Sequence, residues 1–158
     1  MITVKCNRSM GHLVETKYLC PDEFPVGLAK ILDDGFSEID GCVFFKNSFN
    51  CKNIPDIDFI ERNFSNLSGY ECAINGIHLE DFMVDNFFSS SICFVEKFSI
   101  LCDGKLPFPI VAIFGYEKSD EFGDICTFRF HKKREGEVLY NVNEIEDFLD
   151  PIIIINID

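Results

Sequence analysis

At 158 residues, with 47% hydrophobic and 26% charged side chains, the chain has enough apolar surface to offset its conformational entropy, which excludes disorder and fits one domain over residues 1–158. A formal net charge of −13 excludes a protein that holds nucleic acid or anionic lipid, because a field of that sign repels both. No stretch approaches the roughly 20 apolar residues of a membrane span and the first residues lack an apolar signal-peptide run, so the expected location is the cytoplasm.

Along the chain, "ITVKC" alternates and predicts a first strand. In "FPVGLAKILDDGF", Val26, Ala29 and Leu32 recur at helical spacing with Leu28 and Ile31 alongside, and Gly35 marks the end of the helix. "DGCVFFKN" is a short apolar run after a turn signal and reads as a strand. In "PDIDFIERNFSNL", Pro55 suits a first helical turn and Asp56 and Asp58 suit the positive end of the helix dipole. Ile57, Ile60, Phe64 and Leu67 form the apolar stripe of that second helix.

"GYECAINGIHL" carries Asn75 and Gly76 between two apolar runs, which predicts a hairpin. "SSSICFVEKFSILCDGKLPFPIVAIFGYEK" predicts two long strands paired across Asp103 and Gly104, with Pro107 and Pro109 ahead of the second because neither donates to a ladder. "DICTFRFHKKREGEVLYNV" alternates Ile125, Thr127, Arg129 and His131 on a wet face against Cys126, Phe128 and Phe130 on a buried one, then turns at Glu135 and Gly136 into a further strand. Asn143 and Glu146 have the spacing of a helix-starting box, and Pro151 limits that helix to one or two turns. "IIIIN" lacks alternation, so it predicts a strand apolar on both faces, in the sheet interior or under a helix. Together these elements predict a single α+β domain, a mostly antiparallel sheet with two or three helices packed on it.

The eight cysteines form no C-x-x-C pair and several lie in apolar runs, so they read as buried free thiols in a reducing compartment. The sequons at Asn7, Asn63 and Asn66 then carry no glycan. There is no phosphate loop, nucleophile elbow or H-E-x-x-H, and His12, His78 and His131 are dispersed, which points away from a metal or a cofactor. The acids of "HLEDFMVDN" and "YEKSDEFGDI" lack calcium-loop spacing and read as solvated loops. The basic cluster Arg129, Lys132, Lys133 and Arg134 is expected to pair with the chain's own acids.

The acidity is uneven. Residues 21–90 hold thirteen acids against four basic residues, and residues 135–158 hold seven acids against none. Asp120, Glu121 and Asp124 in one loop, with Glu144, Glu146, Asp147 and Asp150 beside the isoleucine run, are the candidate partner-binding residues, since a buried strand would hold those carboxylates in place and lower the ordering needed on binding.

"PFPIVAIFGYEKSDEFGDICTFRF", an apolar strand reaching Phe-Gly, an acidic loop and an alternating strand, resembles the central strand-loop-strand of the SMI1/KNR4 superfamily. Many bacterial members of that superfamily are immunity proteins, and small acidic α+β chains of this kind resemble the immunity proteins of contact-dependent growth inhibition. The resemblance implies a non-enzymatic antidote that binds and blocks a basic toxin, a nuclease foremost. A small hydrolase with a dispersed site and a nucleic-acid mimic that inhibits a DNA-binding protein are the alternatives.

Overall fold

The isoleucines from Ile152 to Ile155 carry branched β-carbons that suit a pleated backbone, and in the computed structural model, which describes residues 1–158, they open a strand buried on both faces. This strand, β7 (Ile152–Ile157), lies between β1 (Ile2–Cys6) and β5 (Ile110–Ser119); with β6 (Gly123–Lys132) and β4 (Ile77–His78) they form a five-stranded sheet of order β1-β7-β5-β6-β4. Every neighbouring pair is antiparallel. A separate hairpin of β2 (Phe36–Ile39) and β3 (Cys42–Phe45), five α-helices and two short 3-10 helices, Leu79–Phe82 and Val142–Asp147, complete an α+β domain.

The large sheet is covered on both faces. On one, Phe114, Phe128, Phe130, Ile153 and Ile155 meet Phe88, Ile92, Val95 and Phe98 of the long helix α5 (Phe87–Lys105), with Met10 of α1 (Arg8–Lys17) and Leu28 and Leu32 of α2 (Val26–Asp34) closing the sides. The rings of Phe45, Phe98, Phe128 and Phe130 sit 4.8 to 6.5 Å apart, which is how a chain with 18 phenylalanines and no tryptophan fills its centre. On the other face Ile113, Ile152 and Ile154 meet Ile145 and Cys72. Helices α3 (Ile57–Phe64) and α4 (Leu67–Ile74) build a third cluster with the small hairpin, from Cys42, Phe44, Ile60 and Tyr70.

The strands at 2–6, 42–45, 110–119, 123–132 and 152–157 and the helices at 26–34 and 57–64 lie where the sequence patterns place them. Four segments differ. Residues 87–105 form α5 instead of a strand, because Phe88, Ser91, Ile92, Val95, Phe98, Ser99 and Cys102 recur at helical spacing on its buried side. Asn75 and Gly76 form no hairpin, since Asn75 is the C-terminal cap of α4. No strand follows Glu135 and Gly136, and the partner of β6 is β5, reached through the turn at 120–122. The short helix near Asn143 is capped by Asn141, whose side chain accepts from the N–H of Asn143. In addition, the stripe ending at Leu67 is divided: α3 stops at Ser65 (φ 71°) and Leu67 opens α4, where a β-carbon on Gly69 would stand 2.0 Å from the Phe64 carbonyl oxygen.

The outer edge of β6 is sealed by residues 71–80, mostly with side chains. Glu80 accepts from the N–H of Cys126 (2.8 Å), β4 pairs Ile77 with Phe128, the Asn75 amide donates to the Phe130 carbonyl (3.1 Å), and Glu71 accepts from the N–H of Lys132 (2.8 Å). Glu71 and Asn75, one helical turn apart on α4, also take the edge of β3: Glu71 accepts from Val43 N–H (2.7 Å), while Asn75 accepts from Phe45 N–H (3.0 Å) and donates to the Val43 carbonyl (2.9 Å). The two sheets are thereby joined through two side chains. Glu71 has no exposed surface, and Arg134 compensates its charge with two hydrogen bonds of 2.7 and 2.9 Å.

Replacing Glu71 with Ala leaves a half-buried guanidinium and two strand N–H groups without their acceptor, and is expected to lower stability by about 3 kcal/mol in a urea titration, with Glu71→Gln in between. Deleting Ile152 to Asp158 removes a strand from the middle of the sheet; the expected result is loss of the cooperative thermal transition seen by circular dichroism.

Candidate partner-binding surface

The β5–β6 turn holds the first group of acids. The Ser119 hydroxyl accepts from the N–H groups of Glu121 (3.2 Å) and Phe122 (3.1 Å), and Gly123 takes φ 77°, so the turn has a defined shape with Asp120 and Glu121 in solvent. Asp124 is half-buried and accepts from the Tyr116 hydroxyl at 3.0 Å. Burial, reinforced by that bond, pushes the Tyr116 phenol up to about 12, so it remains a donor across the neutral range.

The second group is held by α1. Glu146 accepts from the N–H of Arg8 with both carboxylate oxygens at 3.1 Å, the interaction that suits a helix N-terminus. Asn7, buried, caps the same helix through the N–H of Met10 (3.1 Å), accepts from Ile152 N–H (3.2 Å), and donates to the carbonyls of Phe148 (3.2 Å) and Asp150 (2.9 Å). The residue read as an idle sequon therefore fixes the acidic segment to the fold. Glu144, Glu146, Asp147 and Asp150 are all exposed.

The strand register brings Asp150 and the turn at 120–122 toward one end of the sheet, whereas Asn143, next to Glu144, lines a cavity with Val111, His131 and Asn156 toward the other. Gly115 stands opposite Ile152, and Tyr116 N–H donates to the Pro151 carbonyl at 3.0 Å, so Asp150 flanks the last residues of β5 on their way to the turn at 120–122. None of the seven candidate carboxylates lies within ion-pair distance of a Lys, Arg or His side chain or of the N-terminus. Two large apolar side chains stand among them in solvent, Phe122 at 74% exposure and Leu149 at 96%. Sequence reasoning missed both, since nothing marks one exposed phenylalanine among 18.

The basic cluster behaves as the sequence suggests for three of its members. Lys132 pairs with Glu38 (3.6 Å), Lys133 with Asp158 (2.7 Å) and Arg134 with Glu71, while Arg129 has only the Tyr140 hydroxyl at 3.5 Å. The hydrogen bond from Lys133 holds the Asp158 carboxyl below the usual range.

A family model described as "Uncharacterized protein PM0498 family" matches residues 5–158. The chain belongs to the PM0498 family. It is similar to "Uncharacterized protein PM0498" of Pasteurella multocida (strain Pm70), with 35% identity over 130 residues and 80% of each chain covered. No solved structure matches.

In this PM0498-family chain the thiols divide between the core and the surface. All eight cysteines are free; Cys42, Cys72, Cys102 and Cys126 are buried, whereas Cys6, Cys20 and Cys51 are exposed, contrary to a uniform reading as core thiols. Burial, with Glu71 adding to it at Cys42, pushes the Cys42, Cys72 and Cys126 thiols up to about 12. They are protonated at neutral pH. His131 is buried, not on a wet face, because residues 137–143 lie over it, and burial lowers its pKa. No three His, Cys, Asp or Glu side chains converge as a metal cluster, and no helix is long and apolar enough to cross a membrane.

Brief iodoacetamide treatment of the native protein at pH 7.5 is expected to label Cys6, Cys20 and Cys51, with Cys42, Cys72, Cys102 and Cys126 reacting only after unfolding. Mass spectrometry of the peptides reads this, and rapid native labelling of Cys42 would contradict its packed, protonated state.

Proposed function

We propose that this chain is a cytoplasmic antidote that binds a basic protein toxin, a nuclease foremost, and blocks it by laying the acidic end of the sheet over the toxin's cationic active site. The supporting observations are the placement of Asp150 and the turn at 120–122 toward one end of the sheet, the exposure of Phe122 and Leu149 in the same two segments, and the lack of an ion pair at any of the seven candidate carboxylates. Carboxylates at fixed positions can take the places that phosphate oxygens occupy in a nuclease. Apolar anchors inside a charged rim are the arrangement that gives an interface both lifetime and specificity.

The two kinds of residue have separable effects. Exposed carboxylates steer a basic partner, so their loss acts on the association rate and its salt dependence; an anchor that fills a pocket acts on dissociation. Asp124 and Glu146 have internal work as well, as the acceptor of Tyr116 and the cap of α1. Asp120, Glu121, Glu144, Asp147 and Asp150 are free of such bonds and are the better steering residues.

The test is binding to the product of the neighbouring gene, because an antidote is ordinarily encoded beside its toxin. Reversing Asp120 and Glu121 together with Asp147 and Asp150 to Lys is expected to slow association by about tenfold or more at low salt, with the difference shrinking at high salt. Phe122→Ala and Leu149→Ala are expected to leave association intact and speed dissociation, each weakening the complex by about 2 kcal/mol. Folded variants that bind as fast and as tightly as the parent would show the acidic end to be ordinary solubilising charge.

A further inference from the structure

The two edges of the five-stranded sheet are finished differently. The outer backbone of β6 is taken up by Glu71, Asn75, Glu80 and the short β4, whereas β1 is exposed at all five residues. The ladder identifies which groups lie open. Asn7 donates to the Ile152 carbonyl (3.2 Å) and Asp158 donates to the Met1 carbonyl (2.9 Å), so the odd-numbered residues of this segment face β7. Antiparallel pairing alternates along a strand, which turns the N–H and C=O groups of Ile2, Val4 and Cys6 outward. No proline, bulge or covering loop blunts that edge.

Beside the open edge lies an apolar groove of about 600 Å³, floored by Ile153 and Ile155 and walled by Ile2, Val4, Val95 and Ile100. Val4 is 59% exposed and Ile100 69%, although both stand next to the main core. Glu15 and Glu96 also line the groove, and neither is in an ion pair. A second copy of the chain would bring another body of charge −13 to the same place, which electrostatics opposes. An extended segment rich in alternating apolar and basic residues meets every requirement of the site: backbone groups for the open edge, apolar side chains for the groove, and cations for the two glutamates.

We infer that β1 is a docking edge for an extended segment of a basic protein, which adds as a further strand beside β1 with alternate apolar side chains in the groove and Lys or Arg against Glu15 and Glu96. This rests on the reading of the partner as basic and assigns it a second contact, made by main-chain hydrogen bonds. Strand addition of this kind takes its affinity from the backbone and its selectivity from the pockets for alternate side chains. The C-terminal end of β1 runs into Asn7 and Arg8, beside Glu146, so the edge and the acidic end are continuous and one partner can occupy both.

The test uses nitrogen-15 labelled full-length protein and a blocked peptide of alternating lysine and valine, followed by amide chemical shifts, with a glutamate-valine peptide as control. The lysine peptide is expected to shift the amides of Ile2 to Cys6 and of Val95 to Ile100 and to bind roughly tenfold or more tightly than the control. Val4→Pro removes an outward N–H without taking a bond from the β7 ladder and is expected to weaken binding by roughly tenfold. Should that variant fail to show a native melting transition, Val4→Lys, which keeps the N–H and adds a like charge, is expected to weaken binding in the same way. Reversing Asp120, Glu121, Asp147 and Asp150 should leave peptide binding at the edge within about twofold. Shifts confined to residues 119–124 and 144–150 would overturn the edge inference while leaving the acidic end as the contact. Equal binding of the glutamate peptide, absence of binding by either peptide, or concentration-dependent shifts of β1 without peptide would overturn it too.

Discussion

The carboxylate of Glu71 accepts from the backbone of two strands that belong to different sheets, and Arg134, from the loop after β6, neutralises it where no water reaches. An ion so placed is unfavourable unless its oxygens are fully used, and here each oxygen has a strand N–H and a guanidinium N–H. The arrangement extends outward from that point. Arg134 also donates to the Gly41 carbonyl (3.1 Å) in the β2–β3 turn and to the Ser68 hydroxyl (3.3 Å), and Ser68 in turn donates to Glu137 (2.6 Å). Burial opposes the charge of Arg134, but the bonds to Glu71 outweigh it and keep the guanidinium ionised. The small hairpin, α4, the end of β6 and the loop beyond it therefore hold one another in place through a polar knot, while the rings of the main cluster supply the bulk of the burial.

Much of this was legible from residue patterns, and the exceptions share a cause. The alternation of Cys126, Phe128 and Phe130 and the unbroken isoleucines of β7 record burial on one face and on two, and the structure has both. Helix α5 was not legible because Phe87, Cys93, Ile100 and Leu101 put apolar atoms outside its buried side, which erases the stripe that separates a helix from a strand. Asn75 and Gly76 have the composition of a tight turn, yet the Asn75 amide satisfies three backbone groups, Phe45 N–H and the Val43 and Phe130 carbonyls, and no local pattern encodes partners so distant. The acids at 120–124 and at 144–150 were visible as charge, but the approach of Asp150 to the end of β5 depends on β7 lying next to β5, a property of strand order. Phe122 and Leu149 became visible only in the folded chain, since exposure cannot be read from residue type.

The sheet distributes charge along its strands. At the end where β6 finishes, Lys132, Lys133 and Arg134 are matched by Glu38, Asp158 and Glu71, and the local field is largely cancelled. At the end where β7 begins, no candidate carboxylate is within ion-pair distance of a cation, although Lys118 stands opposite Asp124 in the ladder and Arg129 lines the same cavity as Asp150. An approaching basic molecule would thus find carboxylates without an ion-pair partner at the turn between β5 and β6 and beside the start of α1. The hydrogen bonds of Ser119, Asn7 and the N-terminus of α1 keep the backbone there from rearranging, so little ordering remains to oppose an encounter.

The placement of β7 between β1 and β5 also bears on how the chain reaches this state. Asn7 and Ile152, bonded in the finished sheet, are separated by 145 positions, and β1 has no sheet neighbour other than β7. While the chain is still emerging from a ribosome, β1 stays unpaired and the apolar edge of β5 stays open until the isoleucines have been synthesised. Closure then requires a loop of about that length, and pairings so distant in sequence are the ones that slow folding.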